Sequence, residues 1–312
     1  MGHQERGQDG RVSAVLGLGL AAVGRPAYIT LGRSADLPAD RSPAVLQARA
    51  HELLDAATDL EISYLDTARS YGRAEEFLAS WLRGRDDDPF VASKWGYTYT
   101  AEDPTVDADE VKTHDLPTLE RQWGETQALL GDRLRLYQVH SLTADSPLWD
   151  DEALLHRLAG LRDAGTELGF STSGPAQADA VRRGTTLEVD GARLFGTVQS
   201  TWNLLETSAG PALADAHAAG LRVVVKEGVA NGRLTDRGLP ADSPVRGAGA
   251  SPDAVALAAV LAQPWVDVVL SGAVTVGQLR SNADARGLDV DLPDLAEEPT
   301  TYWATRSALA WA

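Results

Sequence analysis

The sequence predicts an α/β fold, a (β/α)8 TIM barrel in a single domain, and three observations carry that prediction. Short apolar, β-rich runs alternate along the chain with longer helical patterns. The alternation makes eight strand-then-helix units running in one direction, as parallel strands joined by crossover helices require. The chain has 312 residues, 44% of them hydrophobic, enough for one large core in a fold of about 250 residues. Such barrels place cofactor and active site at the C-terminal face of the strands.

The elements follow in order. Residues 1–11 are polar and predict a flexible tail ahead of a barrel domain spanning 12–312. The first strand is expected at Val15–Ala21, inside VLGLGLAAVG, whose glycines fall as G-x-G-x-x-A. That spacing also occurs in the phosphate-binding turn of a Rossmann unit. Here, however, Gly24-Arg25-Pro26 and a loop with Gly32 and Pro38 replace the prompt helix. No strand ending in an acidic residue follows about 20 residues on, where the ribose partner would stand. A helix at Pro43–Asp59 opens on Ser42-Pro43, a cap followed by a first-turn proline. Strands at Ile62–Asp66, Phe90–Lys94 and Leu134–His140 are followed by helices at Ala74–Arg83, Leu116–Leu130 (behind Asp115, with Pro117) and Glu152–Ala164. Strands at Glu167–Ser171 and Gly196–Gln199 pair with helices at Ala176–Arg183 and Pro211–Ala219. The last units are Leu221–Lys226 with Pro252–Gln263, opened by Ser251-Pro252, and Val266–Leu270 with Val276–Arg286.

Composition excludes several function classes. With 28 Lys and Arg against 45 Asp and Glu the net charge is −17, which repels nucleic acid and anionic membrane surfaces. No cysteine is present, so disulfides and thiolate metal sites are excluded, and a reducing cytoplasmic location is expected. The six histidines show no metal-binding spacing, and no metal is expected. No run of about 18 apolar residues offers a membrane span.

The strand ends carry the chemistry. Strand two runs into Asp66-Thr67-Ala68-Arg69-Ser70-Tyr71-Gly72, strand three ends at Lys94, and strand four at His140. Adjacent strands lie about 4.8 Å apart, so these groups can share one pocket. A lysine beside a phenol is expected to lower the tyrosine pKa, making Tyr71 a proton donor to a carbonyl oxygen. Asp66 would hold Lys94, and His140 would orient the carbonyl. None of these groups carries electrons, so a hydride donor is required, and nicotinamide suits a site without metal or cysteine. Taken singly, each residue has an ordinary explanation: a cap, a half-buried aromatic, a surface lysine, a buried histidine. Their joint order at consecutive strand ends carries the functional reading.

D-T-A-x-x-Y-G, the strand-end Lys94 and the V-H pair with His140 resemble the aldo-keto reductases, from about Val15 to the C-terminus. The resemblance implies a barrel that binds NADP(H) or NAD(H) extended and interconverts carbonyls and alcohols with Tyr71 as acid or base. It also implies cofactor contacts. Gly19 and Leu20 would floor the nicotinamide pocket, Ser171 and Gln199 would meet the carboxamide, and the Leu270–Thr275 stretch, with Gly272 and Thr275, and Asn282 would take the adenosine phosphate end. The Gly- and Pro-rich span Gly238–Pro252 would close over the pyrophosphate.

Three departures stand out. Thr172 replaces an asparagine, Lys226 and Glu227 replace a stacking tyrosine and a small hydroxyl residue, and Gly272 and Gln278 replace Lys and Arg that hold a 2′-phosphate. Arg280 is nearby and could substitute. Lys226 and Glu227 could equally form a self-contained ion pair. Trp95, Tyr97 and Tyr99 on the third loop, and Trp303 and Trp311 near the C-terminus, are candidates for a substrate pocket. The departures leave room for a second reading, a nucleotide-binding regulatory protein of the same fold with little turnover. The partner expected in either case is a small molecule. The substrate, NADP against NAD preference, reaction direction and oligomeric state stay open.

Overall fold

A computed structural model of the chain describes residues 14–25, 31, 33–98 and 110–310. The expected tail over 1–11, and Tyr99 and Trp311, lie outside the described residues. Eight parallel strands close into a barrel. They are β1 (Val15–Gly19), β2 (Tyr64–Asp66), β3 (Phe90–Trp95), β4 (Leu134–Leu142), β5 (Glu167–Thr172), β6 (Thr197–Thr201), β7 (Arg222–Lys226) and β8 (Val268–Ser271). Each pairs with its neighbours in chain order, and β8 returns to β1 through Val15↔Val268 and Leu18↔Ser271.

Each expected strand forms, with its ends shifted by a few residues. β1 stops at Gly19 because a short helical turn, Ala21–Gly24, begins at once. The outer layer holds α1 (Pro43–Asp59), α2 (Ala74–Leu82), α3 (Leu116–Leu130), α4 (Glu152–Asp163), α5 (Gln177–Thr186), α6 (Gly210–Ala218), α7 (Pro252–Leu261) and α8 (Val276–Ala283), followed by a tail helix, α9 (Pro299–Ser307). Asp115 caps α3 as expected, accepting from the Thr118 amide at 2.9 Å. Ser42 and Ser251 make no such bond, and first-turn prolines start α1 and α7 instead. α9 was not anticipated, although Glu298-Pro299 carries the same start signal, with Glu298 accepting from the Thr301 amide at 3.2 Å.

Strand residues alternate between two faces, and the two faces have different jobs. One set, including Leu16, Leu18, Leu65, Val91, Phe170, Val198 and Val225, packs outward against the helices as the main core. The other fills the barrel with Tyr64, Ala92, Leu136, Val224, Val268 and Leu270. Gly17 belongs to this layer, where a Cβ would come within 2.9 Å of Leu270 and 3.0 Å of Tyr64. The N-terminal mouth is closed by Arg222, which bonds Glu167 at 2.5 Å and lies 4.7 Å from the Phe90 ring centroid. Phe90 in turn stacks on Tyr64. With that end plugged, the inward positions at the other end, Asp66, Lys94, His140, Gln199 and Lys226, form the open face. Among the described residues no helix is long and apolar enough to cross a membrane.

Candidate active site

Asp66 ends β2 and Lys94 lies one residue before the end of β3, so both side chains point into the barrel mouth. Their side chains are 2% and 0% exposed and form an ion pair. Lys94 Nζ also donates to the Thr67 carbonyl at 3.1 Å and to the Tyr71 hydroxyl at 3.4 Å. The second oxygen of Asp66 accepts from Gln199 Nε2 at 2.9 Å, across the barrel. Removing one member of such a buried pair leaves an uncompensated charge, at a cost of about 3–5 kcal/mol.

Tyr71 reaches this pair because the loop after β2 is pinned at both sides. The amides of Thr67 and Arg69 donate to the carbonyls of Ala92 and Lys94, at 2.9 and 3.0 Å. The Arg73 amide donates to Gly24 at 2.8 Å. Beneath the loop, buried Glu75 takes an ion pair from Arg69 and hydrogen bonds from Ser93 at 2.5 Å and Thr126 at 2.9 Å. The Tyr71 ring stands edge-on to His140 at 5.5 Å, and Tyr97 meets the same imidazole at 4.9 Å.

The electrostatics differ from the sequence expectation in one respect. Burial, reinforced by the Asp66 charge and only partly offset by Arg25, pushes the Tyr71 phenol well above its usual range. The Lys94 ammonium, paired with Asp66, leaves the net shift upward. Burial and the Lys94, Lys226, Arg25 and His114 charges hold His140 well below the usual imidazole range. Its Nδ1 meets Ser70 Oγ at 3.3 Å. Below it, His114 bonds the His140 carbonyl at 2.9 Å through Nε2. Gly96, at φ +108°, makes room for that ring, since a Cβ there would lie 2.4 Å from it.

A cavity of about 240 Å³ opens over these groups, lined by Gly19, Asp66, Tyr71, Tyr97, His140, Gln199, Lys226, Glu227 and Gly272 among the expected residues. Lys226 donates to Thr201 Oγ1 at 3.0 Å and stands 3.5 Å from Glu227. Arg306 of α9 bonds both Glu227 oxygens, at 2.5 and 2.8 Å. Burial opposes ionisation of Glu227, but Lys226 and Arg306 outweigh it and bring its pKa to about 2. Burial, with Arg306 and Lys94, depresses the Lys226 ammonium against the pull of Glu227. Lys226 and Glu227 are thus both an ion pair and part of the cavity wall.

A second cavity, of about 390 Å³, meets the first at Val229 and Gly272 and runs past Gln278 to Asn282. Asn282, with its amide turned so that both ends are satisfied, donates to Asp253 at 2.7 Å and accepts from Ser271 at 2.7 Å. The loop beside it is Val229–Arg237 rather than Gly238–Pro252, which folds on itself as Arg246 bonds the Pro240 and Leu239 carbonyls. Of the six non-glycine positions with left-handed backbone among the described residues, Ser141, Glu227 and Asn231 line the first cavity and Ala230 adjoins it, while Glu61 and Asp190 lie elsewhere. Such strain persists where surrounding structure fixes it, commonly at functional sites.

Several expected residues face elsewhere. Trp95, one position beyond inward-facing Lys94, has the opposite parity and is buried against His114 at 5.8 Å, outside the cavity. Trp303 packs with Ala230, Leu234, Ala256 and Tyr302 in a satellite core, and Arg306 reaches the cavity from its helix instead. Leu20 is fully buried among core residues and contributes its amide, which donates to the Asp66 carbonyl at 2.9 Å. Thr172 turns outward to Ser200 at 2.7 Å, and Thr275 caps α8. Ser171 accepts from the Ser141 amide at 2.8 Å, and Ser173 lines the cavity in its place. Arg280 is exposed and outside both linings. Sequence reasoning missed Arg25, Glu110, Ser141 and Arg306 in the first cavity and Asp36, Arg237 and Asp253 in the second. Arg25 had a usable signal, lying just past the first strand; Asp36 and Arg306 are brought in only by tertiary folding. Among the described residues no group of three or more His, Asp or Glu could hold a metal ion.

The profile of the Aldo/keto reductase family matches residues 38–295. A solved Pseudomonas aeruginosa protein assigned to the aldo-keto reductases is 24% identical, with 92% of this chain and 95% of its own covered and a TM-score of 0.65. The holo form of an aldo-keto reductase from Bacillus halodurans is 20% identical, with 97% and 95% covered and a TM-score of 0.65. A glycerol dehydrogenase from Gluconobacter oxydans is 22% identical, with 88% and 87% covered and a TM-score of 0.65. At these identities the structural likeness establishes the fold. A search of curated proteins gives no matching sequence.

Proposed function

The chain belongs to the aldo/keto reductase family, and on that footing we propose that it is an NAD(P)-dependent oxidoreductase moving a hydride between nicotinamide and the carbonyl or alcohol carbon of an aldehyde, ketone or sugar. The observation that carries this reading is the buried Asp66–Lys94 pair with Lys94 Nζ 3.4 Å from the Tyr71 hydroxyl, while Asp66, Tyr71 and His140 line one cavity.

The two joined cavities suit an extended dinucleotide. At their junction Gly272 leaves open space, with nothing within 4 Å of where a Cβ would stand. Gly19, Gln199, Lys226 and Glu227 would hold the nicotinamide end, and Gly272, Gln278 and Asn282 the adenosine end. When bound, reduced nicotinamide supplies the hydride.

The chain's own groups handle the proton. Neutral His140, with Nδ1 on Ser70, has Nε2 to hydrogen-bond and orient the carbonyl oxygen. Tyr71 keeps its proton at neutral pH and gives it to that oxygen as charge develops there. Lys94, donating toward the phenol oxygen, stabilises the phenolate left behind, and Asp66 holds the ammonium in place. In the oxidation direction the same groups run in reverse, with Tyr71 accepting the alcohol proton.

A steady-state assay with NADH and NADPH against a panel of aldehydes, ketones and sugars tests the reading. Turnover at about 1 per second or faster is expected with at least one pair. Tight nucleotide binding without turnover on any pair, in either direction, would instead make the protein a nucleotide-binding regulator.

A further inference from the structure

The second cavity also carries information about which dinucleotide the cleft takes, an inference that rests on the reading above. Tyr71 and His140 fix the reactive end in the first cavity, so the distal nucleoside must lie in the second, whose far wall is Asp36, Asp253, Gln278 and Asn282. Asp36 comes from the segment after β1. It receives two bonds from Arg237, each of 2.6 Å, and one from Gln278 Nε2 at 2.7 Å. Burial opposes its ionisation, but these bonds from Arg237 and Gln278 outweigh it and hold the carboxyl below the usual range. The other acids of the lining are Asp236, paired with Arg246 at 2.8 Å, and Asp253, which takes the Asn282 amide at 2.7 Å.

Among the described residues, then, the cationic and amide donors of this wall are turned onto carboxylates. A phosphate monoester, carrying about 1.5–2 negative charges, would have to displace these bonds and lie beside an anionic Asp36. An unphosphorylated ribose brings two hydroxyls, each able to donate to a carboxylate oxygen. We propose that the cleft selects NAD(H) over NADP(H), with Asp36 as the residue that determines the choice. The Arg237 and Gln278 contacts hold its carboxylate at the ribose end, where it accepts from a hydroxyl and repels a phosphate.

The test uses ADP-ribose and its 2′-phosphate, which lack the reactive ring and so report binding apart from turnover. Dissociation constants from tryptophan quenching or calorimetry on the full chain should favour ADP-ribose by about tenfold or more. Raising salt should narrow that gap, since part of it is charge repulsion. Asp36→Asn should narrow it by several-fold, mainly through tighter binding of the phosphorylated probe. Equal or tighter binding of the 2′-phosphate by the unmodified protein would overturn the proposal, and a gap unmoved by Asp36→Asn would overturn the role given to Asp36. Should that variant fail to fold, the ratio and its salt dependence in the unmodified protein still decide. Failure of both probes to bind would retire the dinucleotide reading itself, a result distinct from binding without discrimination.

Discussion

Burial and the Asp66 charge disfavour Tyr71 phenolate, and in the proposed mechanism Lys94, 3.4 Å away, would stabilise the charge once the proton has left. The neutral imidazole of His140 completes this arrangement. Because its pKa is pressed well below 6.5, kcat/KM for carbonyl reduction should show no inflection between pH about 6 and 8. A limb near 6.5 that disappears in His140→Asn would contradict the assignment. His114 gives a matching statement about stability. Burial and Lys112 bring its pKa from 6.5 to about 4, so the unfolded chain takes up a proton before the folded one. Its stabilising share is therefore complete above pH about 6.5 and is lost progressively as the pH falls toward 4. Between pH about 7.5 and 5.5 the loss is about 1 kcal/mol. His140, shifted in the same direction, adds its own loss over this range, so urea unfolding at the two pH values should show more than His114's share, and His114→Gln should reduce the difference by about 1 kcal/mol; a variant with the full difference would sink the argument.

The loop from Thr67 to Arg73 shows how secondary structure delivers a side chain to chemistry. Glu75 sits in the first turn of α2, yet its carboxylate is turned inward to bind Arg69 on the loop, Ser93 beside Lys94, and Thr126 on α3. Glu75→Gln keeps the shape but weakens the clamp, and is expected to lower kcat about tenfold with KM changed less than about twofold, since Tyr71 is displaced while the substrate walls stay. An unchanged kcat, or a KM effect alone, would show that the clamp does not position Tyr71. The strands and helices were legible because period and start signals are local. That Asp66, Tyr71, Lys94 and His140 come together was legible because three of them stand toward the ends of consecutive strands and Tyr71 follows closely on the second. Trp95 was misplaced although the information was present: the strand alternation that turns Lys94 inward turns its neighbour out. Trp303 and Arg306 share a helix whose orientation the sequence did not fix. Asp36 meets Arg237 and Gln278 across more than 200 residues, and no local pattern announces such a contact.

Closure of the barrel makes these parts one device. The Arg222–Glu167–Phe90 floor seals one end, the inward strand positions gather the polar groups at the other, and the two cavities join there at Val229 and Gly272. α9 then ties its Arg306 to Glu227, so the cavity wall includes chain from β1 through to the C-terminal helix. The core and the cleft are largely built from opposite faces of the same strands, which allows a residue of the mouth to be changed while the core is left intact. The most direct measurement follows from that separation: nicotinamide consumption with the best carbonyl substrate of the panel, by the unmodified protein and by Tyr71→Phe, with nucleotide affinity measured on both. The account predicts a loss of about 100-fold or more in kcat with nucleotide affinity retained within a few-fold. A Tyr71→Phe protein that turned over at the unmodified rate would contradict it.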